Sequence, residues 1–232
     1  MPFSVVDGFV AILVLLFAQL VIVLPALVLG LVDVLEGGPP LLIVVITSQA
    51  VGLAGALGWL AMRQRLSWRL LGPARPRAGH LLWGTGLGIA GFLGVNLVIL
   101  SVLQLIGPVE PPEQQLLQEV TAGGITTVLA FVAAVVMAPI MEEVIFRGML
   151  FQALKRRAGL WPAAIISGVL FAAVHVEVTQ PLFSSGLLLL GVAFALALHR
   201  TGSLLVPIIG HAVFNLIVVV VTILGGSVID TL

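Results

Sequence analysis

The run ITTVLAFVAAVVMAPIMEEVIFRGMLFQALKRR, Ile125 to Arg157, carries Glu142 and Glu143 side by side in an otherwise apolar stretch. Its hydropathy makes it a membrane-crossing helix. A carboxylate near the middle of a bilayer costs ~2.5–3.5 kcal/mol on insertion scales, so two adjacent ones mark a functional site. The run is also too long for one span. A straight helix from Ile125 to Arg157 would measure ~50 Å. Pro139 removes a hydrogen-bond donor from its interior, so the helix is expected to be kinked or broken near Pro139.

Six further apolar runs can span: Gly8 to Val32, Leu41 to Met62, Leu81 to Ile106, Trp161 to Val176, Ser184 to Leu198 and Leu204 to Leu224. The fifth and sixth of the seven in chain order are short, which suits tilted or sheltered helices. An eighth helical element is expected either from the break at Pro139 or from Glu113 to Thr121. The first run is ~25 residues long and lacks a basic flank, so it reads as a retained helix rather than a signal peptide. The fold class is therefore all-α: a polytopic bundle of seven or eight transmembrane helices forming one transmembrane domain over residues 1–232.

Composition agrees. Of the 232 residues, 60% are hydrophobic and 9% charged, mean hydropathy is +1.26 and formal net charge is zero. No basic tract extends beyond Lys155-Arg156-Arg157, which argues against a nucleic-acid partner. The absence of cysteine excludes disulfides, thiolate metal ligands and a cysteine nucleophile. Loop charge sets the orientation. Arg63, Arg65, Arg69, Arg75 and Arg77 fall in the second loop, residues 63–80; Lys155, Arg156 and Arg157 fall in the fourth and Arg200 in the sixth. The even loops and the N-terminus are thus predicted to be cytoplasmic. Asp33, Glu36, Glu110, Glu113, Glu119, Glu177 and Asp230 fall on the other side. Gly84 with Gly88, and Gly52 with Ala56, have the spacing of close helix packing. Gln19, Gln49, Asn96 and Gln104 read as interhelical hydrogen-bonding groups.

Residues 125–224 hold the polar groups that carry chemistry. Glu143 and Arg147, Phe171 and His175, and His211 and Asn215 are each four residues apart, so each pair shares one helix face. Three helices can thus face one pocket. Consecutive residues diverge by about 100° around a helix, so Glu142 and Glu143 take different roles. Glu143 pairs with Arg147. Glu142 has no sequence-local counter-ion, as suits a general base. His80 and His199 lie at predicted membrane edges and read as interfacial.

Glu142-Glu143-Val144-Ile145-Phe146-Arg147 resembles an EExxxR motif, Phe171-Ala172-Ala173-Val174-His175 an FxxxH motif and His211-Ala212-Val213-Phe214-Asn215 an HxxxN/D motif. Together, and in this order, they resemble the CPBP group of membrane proteases, which contains the type II CAAX prenyl endopeptidases and bacteriocin-processing or immunity-type proteins. The resemblance implies a glutamate-dependent intramembrane endopeptidase acting on membrane-anchored or lipidated, CAAX-like polypeptides in the cell membrane, here a bacterial plasma membrane. It implies that Glu142 with His175 activates water and that His211 with Asn215 stabilises the oxyanion. Glu143 and Arg147, with Phe171, would support them. The same residues permit a zinc alternative with Glu142, His175 and His211 as ligands. The metal-free route is favoured, because Asn215 suits an oxyanion role and no HExxH is present. A GxSG serine and a pair of intramembrane aspartates are also absent. The rival readings are a small proton-coupled transporter or channel and a catalytically silent, immunity-type scaffold.

Overall fold

The computed structural model describes residues 4–33, 36–66, 77–106, 115–175 and 181–224. Arg69, Arg75, Glu110, Glu113, Glu177, Asp230 and most of the basic loop expected at 63–80 lie outside the described residues. The described elements are helices: α1 (Val5–Val28), α2 (Pro39–Met62), α3 (Ala78–Ile106), α4 (Gln115–Thr121), α5 (Gly124–Ala158), α6 (Leu160–Ala173), α7 (Pro181–Thr201) and α8 (Leu205–Ile223). Five of them, α1, α2, α3, α5 and α8, are long and apolar enough to cross a membrane. Helix α6 and the Ser185–Thr201 part of α7 are the two short apolar helices expected from the sequence. The chain is a multi-pass membrane protein. Among the described residues, the helix additional to the seven apolar runs is α4, from the segment after Glu113.

Helix α1 begins three residues before the apolar run that announces it. Ser4 caps the helix: the Asp7 backbone N–H donates to Ser4 Oγ at 3.3 Å, and the Ser4 backbone N–H donates to Asp7 Oδ2 at 2.6 Å. This reciprocal box satisfies two amide groups that a helix start leaves orphaned. Asp7 is fully buried, and its carboxylate also accepts from Trp59 Nε1 at 3.1 Å and from Arg65. The start of α1 is thereby locked to the end of α2. At the other end of α2, the Gly38 N–H donates to Glu119 of α4 at 2.9 Å.

Small residues set the helix spacing. A Cβ on Gly88 would stand 2.5 Å from the Gly210 carbonyl oxygen, and one on Gly84 3.0 Å from the Val206 carbonyl oxygen. Helix α3 therefore lies backbone against backbone on α8, as the glycine spacing predicts. Gly52 likewise receives Leu15 and Ala18 of α1. Asn96 departs from expectation: it donates to the Phe92 carbonyl of its own helix at 2.8 Å, four residues back, which satisfies a buried amide without a neighbour.

Helix α5 runs without interruption past Pro139, but its winding changes. Val132–Met137 and Glu143–Phe151 are π-helical, and Ala138–Glu142, which holds Pro139, is α-helical between them. The expected disruption at Pro139 thus takes the form of widened turns. Widening moves the hydrogen-bond pattern from four residues to five and relieves the ring's clash with the preceding turn. Every residue of Glu143–Phe151 is buried. The segment is packed by α1, α6 and α7, so α5 is the axis of the bundle, and Glu142, Glu143 and Arg147 face protein rather than lipid. Lipid-facing apolar groups lie outside, such as Leu13 and Phe17 on α1.

Candidate active site

Glu142 sits where three helices meet. His175, just past the end of α6, places Nε2 3.6 Å from Glu142 Oε1, and His211 of α8 places Nε2 3.9 Å from Glu142 Oε2. Helix α6 starts beside the basic end of α5 at Gly159, whose φ of +84° allows the sharp reversal. Its 14 residues advance ~21 Å, less than the ~30 Å of a hydrocarbon core, so a helix of this length ends short of crossing one and presents His175 partway through it. The His175 side chain is 33% exposed, whereas those of Glu142 and His211 are 11% and 6% exposed. The open side of the site is therefore the His175 side.

Hydrogen bonds fix both imidazoles. His175 Nδ1 lies 2.8 Å from the Phe171 carbonyl oxygen, which can only accept, so Nδ1 carries the proton. His211 Nδ1 lies 3.1 Å from Glu143 Oε1, and the carboxylate also accepts from Arg147 Nη1 at 2.9 Å. His211 Nδ1 is thus a donor too. Both rings consequently turn Nε2 towards the same carboxylate, Glu142. In the neutral ring that atom holds the lone pair, and it donates only when the ring is doubly protonated. The divergence of the two glutamates sets them at opposite edges of one ring. Glu143 therefore serves His211 as well as Arg147, a contact that spacing along one helix does not reveal.

Arg147 is fully buried in a cage of aromatic rings. Its guanidinium carbon stands 4.3 Å from the Phe171 ring centre, 5.5 Å from Phe194 and 5.9 Å from Phe146. Aromatic faces attract the cation. Phe171 also packs on both histidines, with ring centres 4.8 Å from His175 and 5.7 Å from His211. Phe194 stacks on His211 at 5.4 Å and 29°. Gly191 leaves room for the cage, since a Cβ there would lie 3.0 Å from Arg147 Nη2. Neither Phe194 nor Gly191 is marked out in the sequence, where they belong to an ordinary apolar run.

Asn215, expected among the oxyanion donors, commits one amide hydrogen elsewhere. Its Nδ2 donates to the Ala134 carbonyl at 2.7 Å. His80 is buried near the start of α3. His199 Nδ1 lies 3.2 Å from Lys155 Nζ at the basic end of α5. Two imidazoles and a carboxylate are suitable zinc donors in type. Among the described residues, however, no group of three or more His, Asp or Glu side chains is arranged to hold a metal ion.

Residues 124–217 match the family model described as type II CAAX prenyl endopeptidase Rce1-like. The chain is 34% identical over 92 residues to "Putative membrane peptidase YdiL" of Bacillus subtilis, covering 40% of this chain and 36% of that protein. It is 27% identical over 132 residues to "Uncharacterized 24.3 kDa protein" of Escherichia coli, covering 54% of this chain and 60% of that one. It is 27% identical over 145 residues to "UPF0177 protein YbdI" of Lactococcus lactis, covering 62% and 77%. The chain thus spans about a third of the first of these relatives and three fifths of the second. No solved structure matches it. The region that matches this family model, residues 124–217, contains Glu142, Glu143, Arg147, His175, His211 and Asn215.

Proposed function

We infer that the protein is an intramembrane endopeptidase that hydrolyses peptide bonds of membrane-anchored or lipidated, CAAX-like polypeptides. The observation that carries this reading is the single carboxylate, Glu142, faced by the Nε2 atoms of two histidines whose Nδ1 protons are engaged elsewhere. At 3.6 Å, Glu142 and His175 stand too far apart for a strong direct hydrogen bond and suit a water molecule touching both. Glu142 takes a proton from that water as its oxygen attacks the scissile carbonyl carbon. The carbonyl becomes an oxyanion, which His211 Nε2 stabilises when the ring is doubly protonated. Collapse of the intermediate breaks the C–N bond, and the amine leaves with the proton held by Glu142. The reaction needs no metal in this scheme, because the described side chains supply both proton transfer and charge stabilisation.

The test is cleavage of an internally quenched membrane peptide by purified protein in liposomes, with proton flux followed in the same vesicles. Glu142→Gln is expected to abolish cleavage in a protein that conducts no protons. Proton flux that disappears with Glu142→Gln, without any cleavage by the wild type, would instead establish a transporter.

A further inference from the structure

We propose that Asn215 is a positioning residue: its side-chain amide replaces the backbone N–H that Pro139 lacks, and in doing so it fixes where His211 stands against Glu142. This rests on the peptidase reading above, and it gives Asn215 a different task from the oxyanion role that the motif resemblance implies.

The argument starts from the π-helical turn before Pro139. In that turn the Ala138 N–H donates to the Ala133 carbonyl, five residues back. The next donor in the same pattern would come from residue 139 to the Ala134 carbonyl, but Pro139 has no N–H. The α-helical donor for Ala134 would be the Ala138 N–H, which is already committed to Ala133. The Ala134 carbonyl therefore loses both of its usual donors, within a residue that is buried. A buried carbonyl without a partner is costly. Asn215, 81 residues away on α8, supplies the bond at 2.7 Å.

Asn215 lies one turn after His211, so α8 is pinned to α5 at two heights on one face. His211 Nδ1 meets Glu143 at 3.1 Å, and Asn215 Nδ2 meets Ala134 at 2.7 Å. These two bonds fix the axial position and rotation of α8, and with them the approach of His211 Nε2 to Glu142. Pro139 thus has a use: it frees the carbonyl that makes the motif helix recognise α8.

The experiment compares wild type, Asn215→Ala, Pro139→Ala and the double variant in detergent and in liposomes. It measures thermal midpoint, and kcat and KM on the quenched peptide. Asn215→Ala is expected to lower the midpoint and to reduce kcat roughly tenfold or more with little change in KM. In the Pro139→Ala background the same substitution is expected to cost much less in both, because the residue that replaces Pro139 brings a backbone N–H that can donate to the Ala134 carbonyl. Should Asn215→Ala fail to fold, recovery of folded protein by Pro139→Ala carries the same meaning. Equal cost in both backgrounds, a kcat loss with an unchanged midpoint, or no recovery of folding would each overturn the proposal. A wild type without cleavage would refute the peptidase reading alone, since the thermal midpoints still decide the role of Asn215.

Discussion

Glu143 Oε1 receives two donors at once, Arg147 Nη1 at 2.9 Å and His211 Nδ1 at 3.1 Å, inside a fully buried turn of α5. Removing either charge leaves the other uncompensated. Arg147→Met or Glu143→Leu alone is expected to destabilise the protein by about 3–5 kcal/mol, and the double variant by less than the sum. Thermal denaturation in detergent measures this.

The backbone contact between α3 and α8 yields a paired prediction. Gly88→Val is expected to cost about 1–3 kcal/mol by forcing the helices apart at the Gly210 carbonyl. Gly86 meets nothing within 4 Å, so Gly86→Val should change the midpoint little. Equal effects at both positions would contradict the packing.

Phe194 connects the cage of Arg147 to the ring of His211. Phe194→Ala is expected to destabilise by about 3–5 kcal/mol, as for a large buried aromatic. Phe194→Leu keeps most of the volume but loses the stack and the cation contact, so it should recover most of the stability and less of the peptidase rate. A rate that follows stability in both variants would reduce Phe194 to filler.

In the metal-free scheme, incubation with a chelator such as EDTA leaves peptide cleavage unchanged. Loss of cleavage followed by restoration with zinc would assign Glu142, His175 and His211 to a metal instead.

The helical bundle was legible because lipid demands long apolar runs. The polar faces were legible because residues four apart share a helix face, as Phe171 does with His175 and His211 with Asn215, and because charged and polar groups in apolar spans call for a common pocket. Other features depend on tertiary context. The capping box at Ser4 and Asp7 lies before the first apolar run, where hydropathy alone marks no helix, although Ser-x-x-Asp is itself a start signal. The π-helical winding around Pro139 depends on neighbours that fill or pair with the widened turns, as Asn215 does. The shared contact of His211 with both glutamates needs α8 and α5 in register, which spacing along either helix does not give. Phe194 is one apolar residue among many until Arg147 and His211 are seen on its faces.

The most direct measurement is a double-mutant cycle on Glu142 and His175, with kcat/KM determined on the quenched peptide in liposomes. Groups that activate one water act as a unit, so Glu142→Gln and His175→Asn should each abolish most of the activity, and together scarcely more than either alone. Substantial cleavage by Glu142→Gln, or losses that simply multiply in the double variant, would contradict the account.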